Sequence, residues 1–151
     1  MPSFALVVPE SVEEAMAALR TAGPGEASVL AGGTDLLLDV DDLRATPRRV
    51  VSLRRLPWKT LDWNGPRLTV GSTLPLRALE QDPEVGRRYP ALLEAVRAVG
   101  GVALRHRATL GGNVVRSAPA SDRPRRPKSG SWMSRTSRRN SSGLALAFSN
   151  P

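Results

Sequence analysis

Two short stretches carry the residue types best suited to chemistry: Ala31-Gly32-Gly33-Thr34-Asp35 and Thr109-Leu110-Gly111-Gly112-Asn113. Glycine lacks a Cβ and reaches backbone angles that other residues avoid. A Gly-Gly turn therefore lets the main chain approach an anion and aim several N–H groups at it. The diphosphate of a dinucleotide, with its two negative charges, is the ligand such turns suit. Thr34 and Thr109 add hydroxyl donors, and Asn113 offers both a donor and an acceptor. Asp35 is acidic, so it is expected to accept from ribose hydroxyls or to cap the following turn. Neither stretch is the G-x-G-x-x-G of a doubly wound dinucleotide fold, and neither has the Lys-Ser/Thr of a P-loop. A lone Gly-Gly is also what a plain turn looks like; the pair of stretches is the more specific signal.

Other chemistry has little material. The chain contains no cysteine, which excludes disulfides, thiolate catalysis and a cysteine-ligated iron–sulfur cluster within it. Its one histidine, His106, lies between two arginines and is expected at the surface, since geometry and not residue type makes a catalytic base. Arg48-Arg49 and Arg54-Arg55 suit either a partner's surface or a solvated strand edge, and the edge is the expectation. Trp58 and Trp63 are expected to cover a hairpin rather than stack on a ligand, because aromatic side chains mainly bury area.

The elements that must position the glycines follow from pattern. Phe4 to Val8 reads as a short strand ended by Pro9. Ser11 with Glu14 three residues on has the spacing of a capping box, and Ala15, Met16, Leu19 and Ala22 continue a helix. Ala27 to Leu30 is a strand running into the first Gly-Gly. Leu36 to Asp42 is expected to be a short helix or an irregular extension, and Arg49 to Leu53 a strand. Leu61–Trp63 and Arg67–Val70 flank Asn64-Gly65 as a hairpin. Pro75 opens a helix through Leu79, and Leu92, Leu93, Val96 and Val99 mark one face of a helix over Tyr89–Val99. The mixed order gives an α+β or α/β class.

Composition places the charge. The chain has 151 residues, 40% of them hydrophobic, and a net charge of +8. Residues 1–122 hold 15 Lys and Arg against 14 acids, whereas residues 123–151 hold seven basic residues and no acid. A folded part near neutrality and a basic, disordered tail at 123–151 are the expectation. Leu144–Phe148 is an apolar end with nothing evident to pack on. The tail admits a second reading, a non-enzymatic fragment that binds nucleic acid or other acidic polymers, but it carries no recognisable module, and no nucleic-acid partner is expected. No apolar run approaches the roughly 20 residues that span a bilayer. The beginning of the chain has no signal-like segment. A cytoplasmic protein without a membrane association is the expectation.

Taken together and in order, residues 31–37 and 105–122 resemble the FAD-binding medium subunit of molybdenum hydroxylases, the group of xanthine dehydrogenase and aerobic carbon monoxide dehydrogenase. The resemblance runs from about Phe4 to Asp122 and includes Val50-Val51-Ser52-Leu53, Val70-Gly71-Ser72-Thr73-Leu74 and Pro90-Ala91-Leu92. It implies an α+β fold of the vanillyl-alcohol-oxidase (PCMH) type, in which two α/β subdomains hold FAD, with the second subdomain incomplete here. It implies that Ala31, Gly32, Gly33, Thr34 and Asp35 form one diphosphate grip. Thr109, Leu110, Gly111, Gly112 and Asn113 would form the other, and Asp122 would help hold the dinucleotide. It also implies partners: a small subunit with two [2Fe–2S] clusters and a large molybdopterin subunit. FAD would deliver electrons to NAD⁺, a quinone or O₂. Arg116 departs from the smaller residue usual at its position. After Asp122, Arg-Pro-Arg-Arg-Pro stands where related chains continue with a hydrophobic run, so a partial subunit, truncated or frameshifted, is the expectation.

Overall fold

The computed structural model describes residues 3–117 and 145–149. Asp122 and the basic stretch after it lie outside the described residues. The chain divides into two compact units, Met1–Pro57 and Trp58–Pro151.

The first unit is a parallel sheet with its crossovers. Strands β1 (Ala5–Val7), β2 (Ala27–Leu30) and β3 (Arg49–Ser52) lie in the order β1-β3-β2. Helix α1 (Val12–Arg20) links β1 to β2, and α2 (Leu36–Asp41) links β2 to β3. Ser11 caps α1 as its spacing predicts: its side chain accepts from the Glu14 N–H at 3.1 Å, and the Glu14 carboxylate accepts from the Glu10 N–H at 2.9 Å. Two orphan donors of the helix entry are thereby satisfied. Val50 and Val51 are fully buried, so β3 is the central strand and not an edge. Arg49 is accordingly no solvated edge residue: its guanidinium donates to the Ala18 carbonyl at 2.8 Å and to Thr21 Oγ1 at 2.6 Å. It thus ties the sheet to the end of α1. Leu53 belongs not to the strand but to a short 3₁₀ turn, Leu53–Arg55.

Among the described residues, the second unit is an antiparallel sheet with five helices. Strands β4 (Leu61–Asn64) and β5 (Arg67–Gly71) pair as a hairpin with Asn64 opposite Arg67. The two-residue loop is therefore Gly65-Pro66, one position later than the Asn-Gly signal suggests. Gly65 has φ +57° and Pro66 cannot reach positive φ, which selects a type II′ over a type I′ turn. Strand β6 (Ala145–Ser149) pairs antiparallel with β5, so the apolar end that lacked an evident partner has one. Helices α3 (Leu76–Gln81), α4 (Pro83–Arg88), α5 (Pro90–Arg97), α6 (Val102–Arg105) and α7 (Leu110–Ser117) fill the interval. Leu68, Val70, Leu76, Leu79 and Val85 are fully buried and Leu92, Val96 and Leu110 nearly so. Each such side chain contributes about 1.5–3 kcal/mol through the area it removes from water. Among the described residues no helix is long and apolar enough to cross a membrane.

Candidate functional site

The first Gly-Gly follows β2 at the carboxyl end of a parallel strand, where α/β sheets place their ligands. Gly33 has φ +78°, a left-handed conformation that glycine adopts without strain. Its carbonyl accepts from the Leu37 N–H at 3.2 Å, which starts α2. Among the described residues, no hydrogen bond uses the backbone N–H of Gly32, Gly33 or Thr34. Ala31 to Thr34 are half-buried and Asp35 is exposed. Asp35 stands at the N-cap of α2, but its side chain makes no capping bond. Among the described residues, nothing is hydrogen-bonded to these three backbone donors, which leaves them open.

The second Gly-Gly is not a loop but the first turn of α7. The Thr109 hydroxyl accepts from the Gly112 N–H at 3.1 Å, and the Thr109 carbonyl accepts from the Asn113 N–H at 3.1 Å and from the Asn113 side chain at 3.0 Å. The Gly111 N–H donates to the Ser72 carbonyl at 3.0 Å, and the Leu110 N–H to the Leu74 carbonyl at 3.4 Å. Every backbone donor from Leu110 to Asn113 is therefore closed onto the protein. A Cβ on Gly111 would lie 2.6 Å from the Ser72 carbonyl oxygen, so glycine is required here by close helix–turn packing. The Ser72-Thr73 turn against which it packs carries two buried hydroxyls, Ser72 Oγ and Thr73 Oγ1, with no hydrogen-bond partner among the described residues.

What surrounds this helix is structural. Arg105 is 7% exposed. Its Nε and Nη2 donate to the two Glu80 carboxylate oxygens at 2.9 and 3.2 Å, and its Nη1 donates to the Gly100 carbonyl at 2.6 Å. Hydrogen bonds from Arg105 and then Arg77 hold the Glu80 carboxyl at a pKa of about 2. Arg105 thus anchors the end of α5 to α3 and is not a spare cation for a ligand. His106 is exposed, as its setting suggests. Trp63 stacks on Tyr89 with centroids 6.0 Å apart, and the Arg88 guanidinium sits 5.1 Å over its ring. Trp63 therefore covers the hairpin and α4. Arg55 pairs with Glu10 at 2.6 Å.

Sequence reasoning named the glycines of both turns but missed that Gly111 packs on Ser72. The signal available was only its place after β5, since its contact with Gly111 is made across the chain. The turn fits an anionic dinucleotide on its own geometry: donors unengaged among the described residues and a left-handed glycine.

A parallel β–α–β unit ending in a glycine turn is a setting in which nucleotide phosphates are often held. Residues 2–125 match the family described as the FAD binding domain in molybdopterin dehydrogenase. The chain belongs to this family, and FAD is the cofactor of its domain. It is 32% identical over 124 residues to the carbon monoxide dehydrogenase medium chain of Hydrogenophaga pseudoflava, covering 82% of this chain and 43% of that one. It is 35% identical over 100 residues to a putative xanthine dehydrogenase FAD-binding subunit of Escherichia coli (strain K12), covering 64% and 34%. A solved carbon monoxide dehydrogenase from Hydrogenophaga pseudoflava superposes with a TM-score of 0.70 at 32% identity, over 75% of this chain and 39% of that chain. The chain thus spans less than half the length of these relatives.

Proposed function

We propose that this chain carries the FAD-gripping part of an electron-transfer subunit of a molybdenum hydroxylase. Its partners are then a [2Fe–2S] small subunit and a molybdopterin large subunit, and its acceptor is NAD⁺, a quinone or O₂. The observation that carries the reading is the family match over residues 2–125, which spans both glycine turns. Bound FAD would supply the redox chemistry, since its ring takes up and releases electrons while the protein binds and tunes it. Ala31 to Thr34 would offer backbone donors to the diphosphate, and Gly33 would hold the turn in the conformation that exposes them. Asp35, exposed and uninvolved in capping, would accept from ribose hydroxyls. Thr109 to Asn113 would supply the positive end of α7 to the cofactor, and Asp122 would help hold the dinucleotide. Residues 1–122 would form the FAD-binding part.

Titration of the purified chain with FAD, followed by quenching of flavin fluorescence and by shifts of its visible bands, tests this. Saturable binding is expected. A chain that folds yet leaves FAD fluorescence unchanged would overturn the proposal.

A further inference from the structure

Strand β5 has a neighbour on each side, and the two sides are built differently. On one side lies β4, which is itself an edge of the sheet among the described residues. That strand carries common safeguards against pairing with another molecule. It is four residues long, Asp62 within it is exposed, and Pro66 follows in the turn. The other side of β5 belongs to a stretch of a different kind, Arg67-Leu68-Thr69-Val70-Gly71. It has no proline and no acid, and its single charge, Arg67, stands at its first position. Uncovered, the N–H and C=O groups on that side would be a template for a further strand.

The chain covers them with a segment from far along its sequence. Ala145–Ser149 pairs antiparallel with the whole of β5, from Arg67 opposite Ser149 to Gly71 opposite Ala145. Residues 118–144 stand between α7 and this strand, and β6 lies outside residues 2–125, which carry the family likeness. Leu144 to Ser149 holds no charge and no proline, the composition of a segment that associates if left exposed. An unguarded edge and an uncharged apolar segment thus cover each other. Strand β5 also has a hold that does not depend on β6: Leu68 and Val70 belong to one core cluster with Leu76, Leu79 and Val85.

We propose that the outer side of β5 is a strand-addition site, and that Ala145–Ser149 fills it in cis and so keeps it from a second copy of this chain. Main-chain hydrogen bonds supply the hold, so the site takes an extended, uncharged apolar segment running antiparallel to β5. It lies wholly within the second unit and is independent of the flavin.

The test uses the full 151-residue chain and a fluorescein-labelled peptide with the sequence of residues 143–151. In an antiparallel pair alternate N–H groups face the neighbour, so of two consecutive residues one donates to β5. Leu146→Pro combined with Ala147→Pro therefore removes a ladder bond whichever of the two supplies it. Anisotropy reads peptide binding, and sedimentation velocity reads association. The wild-type chain is expected to be a monomer that leaves the peptide free, because its site is filled. The double variant is expected to bind the peptide at least about tenfold more tightly than wild type, to self-associate without it, and to return to monomer with excess peptide. Equal binding by both proteins, or equal self-association of both, would overturn the proposal, because β6 would then not fill the site. A variant that stays monomeric and ignores the peptide would overturn it too, since the uncovered side of β5 would accept nothing. Self-association that excess peptide leaves unchanged would place the contact elsewhere and would also overturn it. Circular dichroism covers the remaining case. An unfolded double variant that the peptide restores supports the site. One that the peptide does not restore makes β6 an integral strand and not a cap, which overturns the proposal.

Discussion

Gly32-Gly33 and Gly111-Gly112 are the same dipeptide, the first followed by Thr34 and the second two residues after Thr109, yet the two pairs meet different physical demands. At the first, the backbone must bend: Gly33 sits at φ +78°, and among the described residues the N–H groups of Gly32, Gly33 and Thr34 are left unengaged. At the second, the backbone is helical and every donor is spent, and the demand is for room, because Ser72 packs where a Gly111 side chain would be. A glycine pair read from sequence thus does not say whether it is kept for a ligand, for a conformation or for a neighbour. That distinction is visible only in where the N–H groups go and in what a Cβ would strike.

The largest effect that can break this comparison lies at Gly111. Gly111→Val drives a branched side chain into the Ser72 backbone, and overpacking against main chain costs typically about 1–3 kcal/mol, at the upper end here because backbone moves least. Urea unfolding is expected to show that loss in the apo chain. A variant as stable as the parent would mean the approach of α7 to the Ser72 turn is not tight. Next comes Gly33→Val. A β-branched residue at positive φ costs about 1–2 kcal/mol, and its Cβ would also press on Leu30 Cδ1 at 3.0 Å and Leu37 Cδ1 at 3.2 Å. FAD affinity should fall by more than tenfold, since the strained turn re-aims the open donors. Retained affinity would remove the first turn from the site.

A third prediction separates the two units by pH. The Glu80–Arg105 pair belongs to the unit that holds the second turn, and the pKa of Glu80 is lowered from its ordinary 4.5 to about 2. A carboxylate depressed in the folded state contributes stability that is fully present above its unfolded pKa and disappears as pH falls through the folded one. Unfolding midpoints should therefore drop between about pH 4.5 and pH 2, and Glu80→Gln should flatten that dependence while lowering stability at neutral pH. An unchanged acid profile in Glu80→Gln would show that the pair does not hold α5 to α3.

Much of the first unit was legible because its cues are local. Ser11 with Glu14 announces α1, and the apolar runs at Ala27–Leu30 and Arg49–Leu53 announce strands that the structure bounds within a residue. What failed depends on contacts distant in the chain. Whether β3 is central or at an edge is decided by β1 and β2 closing on both its sides, and no feature of Arg48-Arg49 reports that. Strand β6 exists through its pairing with β5, so a five-residue apolar segment alone could not announce it. Helix α7 was read as a loop because two adjacent glycines are poor helix formers; the Thr109 cap and the packing on Ser72 override that propensity. Helix α4 was missed although its signal was present: Asp82 accepts from the Val85 N–H at 3.0 Å and Pro83 takes the first helical position, an entry that Asp-Pro spells out. The glycines of the site could be named from sequence as a pair. Their different structural settings could not, because the close packing of Gly111 is set by the Ser72 turn, distant in the chain.

The smallest expected effect lies at Gly112, and it is the most discriminating. Among the described residues, a Cβ there meets Thr109 Oγ1 at 3.0 Å, the end of a side chain that can shift by a few tenths of an ångström. Alanine gains up to about 1 kcal/mol of helix propensity over glycine, while disturbing the Thr109 cap costs about as much. The two nearly offset, so Gly112→Ala should change the unfolding free energy by less than about 1 kcal/mol. If α7 contributes its dipole rather than open backbone donors, FAD affinity should fall by no more than about threefold, or about 0.6 kcal/mol. A loss as large as that of Gly33→Val, measured in the same titration, would mean that the Gly112 N–H leaves Thr109 to meet the ligand. The two turns would then grip in the same way after all.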